Sequence, residues 1–173
     1  MARRSESATK SDTPLIETPQ SVTVVTPDQM DDQAVQSVVQ ALRYSAGVQS
    51  ETRLSSGRYD SVFIRGFGGG GSNAGYVNFL DGLHLQRGIN YLVPTVEPYS
   101  LERIEVLRGP ASVIFGQVKP GGIVNLISKR PVEERFGEVE LQVGSYQRGH
   151  LAFDVGGPVN QDKAVLYRIV GLG

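Results

Sequence analysis

The stretch with the clearest potential for ligand chemistry is the glycine run Gly66-Phe67-Gly68-Gly69-Gly70-Gly71. It satisfies G-x-G-x-x-G, the pattern by which a strand–turn–helix unit binds a dinucleotide. Here Ser-Asn-Ala-Gly and another strand pattern follow, so no helix N-terminus is available for the phosphates. The run also lacks the Gly-Lys-Ser/Thr of a phosphate-binding loop, and it has glycines where an RNA-recognition core needs an aromatic residue and valine. We expect a loop that can contact a ligand, and not a nucleotide site.

Side chains that could catalyse a reaction or ligate a metal are scattered. His84 and His150 each stand alone in a strand pattern, and the chain has no cysteine. No carboxylate lies at metal-ligand spacing from either histidine. Glu97, Glu102 and Glu105 are close in sequence, but they flank a turn and a strand, where a solvated edge accounts for them. The sequence therefore indicates a protein that is not an enzyme and has no metal site or cofactor.

Composition and charge narrow the class further. The chain has 173 residues, enough for one domain with a substantial core. Its formal net charge of −1 gives no electrostatic argument for binding nucleic acid. The longest apolar runs are strand-sized, and the polar N-terminus lacks the apolar stretch of a signal peptide.

The elements that must position the loops begin with a strand and two helices. Ser21–Thr26 is rich in β-branched residues and predicts a strand. Thr26-Pro27-Asp28-Gln29 has the pattern of a helix start, with Thr as N-cap and Gln three residues later. Ser37–Gln40 repeats the capping pattern. Two short helices, separated at Asp32–Gln36 and ending near Gly47, are expected.

Strand patterns follow around the glycine run. Val62–Arg65 precedes it, and the strands Tyr76–Leu80 and Leu83–Gln86 are joined by Asp81-Gly82, a strong hairpin signal. Arg87–Pro98 predicts a loop.

The run Leu101–Pro131 organises the rest of the fold. Arg103–Leu107 and Ile123–Ser128 are two apolar, β-prone runs. Between them we expect a helical turn at Ala111–Phe115 and a tight turn at Pro120-Gly121-Gly122.

Beyond Pro131 the pattern changes to two-faced strands. Apolar and polar residues alternate in Glu138–Val143 and in His150–Val155, and Ala164–Leu172 is a further strand. This alternation predicts an antiparallel meander. Nothing completes its sheet, so we expect a fragment of a larger protein.

Several motifs in a fixed order resemble one family. Ile64-Arg65-Gly66-Phe67, Asp81-Gly82, Leu101–Pro110 and Pro120–Pro131 are similar in order and spacing to the plug domain of TonB-dependent outer-membrane receptors. With Thr18–Val22 ahead of them, they resemble the ferric siderophore branch, and the ferrichrome receptor type in particular.

The resemblance implies an α+β fold: a plug domain with a small mixed β-sheet and short helices, followed by truncated antiparallel barrel strands. It divides the chain into a flexible lead-in at 1–13, a plug domain at 14–131 and an incomplete start of the outer-membrane β-barrel at 132–173. In such receptors the plug sits inside the barrel and its apical loops touch the iron chelate. TonB pulls on a segment ahead of the plug, the TonB box, which is not recognisable within residues 1–13.

The resemblance also implies ligand-contact residues. Arg53, Gly71, Ser72 and Tyr91 match positions that contact the siderophore. Asn90 does not keep the aromatic side chain of its counterpart. The alternative for each of these residues is an ordinary surface loop residue with no role in binding.

Arg65 and Arg108 match arginines that pair with glutamates on the inner barrel wall. Those glutamates lie outside this chain, so we expect both arginines to be unpaired or solvated here. A strand-end arginine that faces water is the alternative.

The implied function is that of the gate and ligand-contact part of a receptor importing ferric siderophores, of the hydroxamate type. The expected partners are the ferric siderophore, TonB and the missing barrel, with no nucleic acid. The expected location is the bacterial outer membrane, although the fragment by itself could be soluble. It could not transport alone, because open sheet edges in lipid leave backbone groups unsatisfied. The alternative is a free-standing envelope ligand-binding module without a barrel.

Overall fold

The computed structural model of the chain describes residues 4–5, 13–14, 20–50, 62–68, 77–85, 94–109, 115–116, 118, 120–146 and 149–173. The chain divides into two units, Met1–Ser128 and Lys129–Gly173. No helix in the described ranges is both long and apolar enough to cross a membrane.

The elements of the first unit are mostly short. In chain order they are β1 (Arg4–Ser5), β2 (Thr13–Pro14), β3 (Ser21–Val25), α1 (Pro27–Asp32), α2 (Val38–Ala41), β4 (Val48–Gln49), β5 (Phe63–Ile64), β6 (Phe67–Gly68), β7 (Val77–Leu80), β8 (Leu83–His84), a 3-10 turn (Pro98–Ser100), β9 (Leu101–Arg108) and β10 (Gly122–Ser128). The second unit contains β11 (Phe136–Val143), β12 (Gly149–Pro158) and β13 (Leu166–Leu172).

A mixed sheet with the strand order β3-β9-β10-β7-β8 forms the centre of the first unit. β9 is antiparallel to both neighbours, so Arg108 pairs with Ser21 on one side and with Gly122 on the other. β10 is parallel to β7, which pairs Ile123 with Val77. These residues therefore lie at one end of the sheet, called here the Arg108 end. The predicted α+β fold with a small mixed sheet and short helices is confirmed.

The two predicted helices begin at their predicted caps. The N–H of Thr26 donates to Gln29 Oε1 at 3.2 Å, and the N–H of Gln40 donates to Ser37 Oγ at 3.3 Å. Each contact satisfies a donor that a helix end or its cap would leave unpaired. Both helices then pack against one face of the sheet. The buried residues of this cluster include Met30, Val38, Ala41, Leu42, Ile104, Val106, Val124 and Leu126.

The sequence predicted that Glu105 lies at a solvated edge, and this prediction is wrong. Glu105 is fully buried in β9, and its Oε1 lies 2.7 Å from Arg103 Nε. β9 is an inner strand of the sheet, and a second apolar cluster of Phe79, Leu107 and Ile123 lies within the same unit. Burial of this carboxylate is tolerated because a cation pairs with it.

A three-stranded sheet of β4, β5 and β6 meets the chain at Gly121, immediately before β10, and β9 meets it at Gly122. A Cβ on Gly121 would lie 2.6 Å from Ile64 O and 2.6 Å from Phe67 Cβ. Gly122 has a φ of +133°, and a Cβ on it would lie 2.0 Å from Leu107 O. The predicted Pro-Gly-Gly turn therefore allows two close approaches of backbone that a side chain would prevent.

The second unit is a three-stranded antiparallel sheet, as its alternating pattern predicts. Phe153 of β12 lies opposite Val139 of β11 and Gly171 of β13, so residues opposite one another share a face. One face carries exposed apolar side chains, namely Val139, Leu141, Leu151, Phe153 and Ile169. The other face carries charged residues, described below.

Two predictions concern segments that the structure describes only in part. In the predicted flexible lead-in at 1–13, Arg4-Ser5 pairs antiparallel with Thr13 and with Pro14 just beyond it, so these residues take up regular structure. The predicted helical turn at Ala111–Phe115 lies outside the described residues except for Phe115.

Gly122→Ala should lower the free energy of unfolding of the chain by about 3 kcal/mol or more, because it adds both a clash with Leu107 O and backbone strain. Gly66→Ala isolates the strain, since Gly66 has a φ of +81° but no atom of the described residues lies within 4 Å of its Cβ position. The expected loss is about 1 kcal/mol. Gly149, with an open Cβ position, is the neutral control. Urea unfolding followed by circular dichroism measures all three, and equal losses at Gly122 and Gly66 would contradict the close approach.

Candidate functional site

The predicted siderophore contacts Arg53, Gly71, Ser72 and Tyr91 lie outside the described residues. Their roles therefore stay predictions. The segments that contain them, 51–61, 69–76 and 86–93, are flanked by described residues, which show where the chain enters and leaves each segment.

The segments that contain Ser72 and Tyr91 join the five-stranded sheet at the same end. Val77 begins β7 at the Arg108 end, immediately after the first segment. The N–H of Leu85, which follows β8, donates to Asn78 O at 2.8 Å, so β8 has returned to that end before the second segment begins. The β7–β8 hairpin thus brings the flanks of both segments together.

The segment that contains Arg53 shares a starting point with the glycine run. Gln49 of β4 and Gly68 of β6 both pair with Phe63 of β5. The chain therefore leaves β4 and β6 from the same end of the small sheet. The described flanks therefore meet at two places. At the five-stranded sheet, the end of the segment with Ser72 meets the start of the segment with Tyr91, and at the small sheet, the start of the segment with Arg53 meets the start of the segment with Ser72.

Arg108 differs from the expected solvated side chain. Its Nε donates to Ala46 O at 2.6 Å and its NH1 to Ser21 Oγ at 3.0 Å, while its NH2 donates to Thr23 Oγ1. The guanidinium therefore ties β3 and the stretch after α2 to the end of β9. The fixed fork of N–H donors makes three such contacts from one side chain possible.

Arg65 lies beside Arg108 in the left-handed turn between β5 and β6. Its φ is +52°, and its N–H donates to Gly47 O at 2.9 Å. A Cβ on Gly47 would lie 3.7 Å from Arg108 Nε and 3.9 Å from Arg65 Cγ. A Cβ on Gly109 would lie 3.7 Å from Arg65 NH1. The structure therefore brings the two predicted pairing residues together over two glycines.

The pair of like charges at this site has an electrostatic consequence. Burial and the neighbouring positive charge of Arg65 both lower the pKa of Arg108 from its ordinary value. Arginine remains charged in proteins, so both cations persist. Among the described residues, the recorded side-chain partners of Arg108 are two hydroxyls and a carbonyl, and none is a carboxylate. The two guanidinium groups can therefore bind carboxylates that lie outside the described residues.

The sequence analysis did not identify the hydrogen-bond partners of Arg108 in β3. For Ser21 and Thr23 the sequence predicts only a strand, although polar residues at alternate positions of an otherwise apolar strand mark one face of it. That signal identifies a polar face, but it does not identify Arg108 as the partner.

The histidines form no metal site in the part of the chain that the structure describes, where no group of three or more His, Cys, Asp or Glu could hold an ion. His84 is exposed and its ring lies 5.3 Å from the ring of Phe79.

Comparison with known proteins agrees with this architecture. The family model of the TonB-dependent receptor plug domain matches residues 14–123. The alcaligin outer-membrane receptor FauA of Bordetella pertussis superposes with a TM-score of 0.83 at 28% identity, covering 99% of this chain and 29% of that chain.

Two curated relatives are closely similar in sequence. The ferrichrome outer membrane transporter/phage receptor of Escherichia coli K12 is 42% identical over 171 residues, 99% of this chain and 22% of its own length. The ferrioxamine B receptor of Salmonella typhimurium SL1344 is 43% identical over 166 residues, 95% of this chain and 23% of its own length. The chain thus spans less than a quarter of these relatives, all of which are named as transporters or receptors. Because the plug model matches more than half of it, this chain belongs to the TonB-dependent receptor plug domain family.

Proposed function

We propose that this chain is the gate and ligand-contact portion of a TonB-dependent outer-membrane receptor that imports ferric siderophores of the hydroxamate type. The observation that carries the proposal is the pairing of a plug fold with two relatives named for ferrichrome and ferrioxamine B. The convergence of the segment flanks supports a contact surface for one compact ligand. A preformed chelate also agrees with the lack of a metal-binding cluster among the described residues, because the iron would arrive already coordinated.

The two arginines support a place inside a larger protein. A pair of neighbouring guanidinium groups is stabilised by carboxylates, and a barrel wall would supply them. TonB would act on a segment ahead of the plug. The proposed boundaries, a lead-in at 1–13, a plug at 14–131 and barrel strands from 132, stay predictions.

A chimeric receptor tests the import function. This chain replaces the matching 171-residue stretch of the E. coli ferrichrome transporter, in cells that lack their own copy and are starved of iron. We expect growth on ferrichrome or ferrioxamine B, and none on a catecholate chelate that these cells cannot otherwise import. The native transporter is the positive control. Absence of growth on every hydroxamate, with the chimera present in the outer membrane, would contradict the proposal.

Tyr91→Ala and Arg53→Ala should each weaken binding of ferric hydroxamate to the chimera roughly tenfold, a loss of about 1.4 kcal/mol. The reason is that each removes a ring or a charge from the proposed contact surface. Tyr44→Ala is the matched control, because Tyr44 is 75% exposed in the stretch after α2. Equilibrium binding of iron-labelled siderophore to outer membranes measures the effect. Equal weakening by Tyr44→Ala would argue against a localised site.

Arg108→Gln and Arg65→Gln distinguish two roles of the arginine pair, hydrogen bonding within the chain and pairing with barrel carboxylates. In the isolated chain, Arg108→Gln should lower the free energy of unfolding by about 1–3 kcal/mol, because it removes charge-assisted hydrogen bonds to β3 and Ala46. Arg65→Gln should change it by less than about 0.5 kcal/mol. In the chimera both should reduce uptake, since both would lose barrel carboxylates. Normal uptake by folded Arg65→Gln would refute the barrel-pairing role.

A further inference from the structure

The charged face of the second unit is built around one buried carboxylate. Asp154 in β12 is 1% exposed. Its Oδ2 lies 2.8 Å from Lys129 Nζ and 2.7 Å from Arg168 NH2, and its Oδ1 accepts from Arg168 Nε at 2.9 Å. The side chains of Lys129 and Arg168 are only 12% and 11% exposed. Such a carboxylate is tolerated because two cations pair with it and the arginine binds it through both oxygens.

Arg168 extends this network to the backbone that leads into the strands. Its NH1 donates to Arg130 O at 3.0 Å, and its guanidinium carbon lies 5.0 Å from the centre of the Phe136 ring. The carboxylate of Asp154 therefore reaches residues 129 and 130 in two ways, directly through Lys129 and indirectly through Arg168.

Two glycines of β12 leave room for the same stretch. A Cβ on Gly156 would lie 2.7 Å from Phe136 Cε1, and a Cβ on Gly157 would lie 2.8 Å from Arg135 Cγ. Residues 135 and 136 thus lie directly on β12. Both ends of the stretch Lys129–Phe136, called here the connector, are held against β12 and β13.

We propose that Asp154 is a positioning residue that anchors the connector on strands β12 and β13. The contrast with a second ion pair of the connector supports the assignment. Glu133 Oε2 lies 3.5 Å from Lys163 Nζ, but these side chains are 72% and 49% exposed, and such surface pairs contribute little. The buried pair holds the connector and the exposed pair does not.

The consequence for import rests on the proposed function. If residues 1–128 act as a gate, an anchored connector fixes the point at which the chain enters the strand unit. Rearrangements that open a path would then begin upstream of Lys129.

The anchor can be tested on the chain as it stands, independently of import. The protein has no cysteine, so Glu134→Cys provides a single site for a nitroxide spin label in an exposed part of the connector. The labelled chain is compared with versions that also carry Asp154→Asn, Lys129→Gln or Lys163→Gln. The last two are matched, since each removes one lysine that is bonded to a carboxylate.

We expect the label to become several-fold more mobile in Asp154→Asn and in Lys129→Gln, and to keep its restricted spectrum in Lys163→Gln. If Asp154→Asn loses the circular dichroism of its strands, Lys129→Gln decides, because it leaves the Asp154–Arg168 pair in place. An unchanged spectrum in folded Lys129→Gln would overturn the proposal. So would equal mobility in Lys163→Gln. Neither result would bear on whether the chimera imports siderophore.

Discussion

The first unit depends on the close backbone approach at Gly121 and Gly122. Gly122, the first residue of β10, packs directly against Leu107 O of β9. Gly121, the residue before it, packs against the β5–β6 hairpin. A side chain at Gly121 would push the small sheet away from the start of β10, and a side chain at Gly122 would push β10 away from β9. The same approach sets the site, since Arg65 belongs to the hairpin and Arg108 follows Leu107. Backbone geometry at two glycines thus determines where two charges meet.

The two units treat charge in opposite ways. In the second unit Asp154 is neutralised within the unit by Lys129 and Arg168, and it holds local backbone in place. In the first unit Arg65 and Arg108 lie together, and the partners of Arg108 among the described residues are hydroxyls and a carbonyl, which carry no negative charge. The Asp154 cluster thus holds both signs of charge within its own unit. The Arg65–Arg108 pair concentrates positive charge that carboxylates from outside the described residues can bind.

Much of the local structure was predictable from the sequence. The caps at Thr26 and Ser37, the Asp81-Gly82 hairpin and the alternating strands after Pro131 depend on near neighbours, and the structure confirms them. The burial of Glu105 was not predictable, because it depends on β9 being an inner strand of the sheet. The partners of Arg108 were missed for a related reason: Ala46 lies 62 positions away in the chain and Ser21 lies 87.

The amino-acid sequence by itself determined the family, the class of fold and the residues to examine. It could do so because turn chemistry, capping and strand alternation are local properties, and because several motifs occur in one order. Only the tertiary structure decided which residues meet. The tertiary structure places Arg65 beside Arg108, brings the flanks of the predicted loops together and pairs Lys129 with Asp154. These contacts depend on strand order and register, which are set by the packing of the whole sheet and not by any one segment.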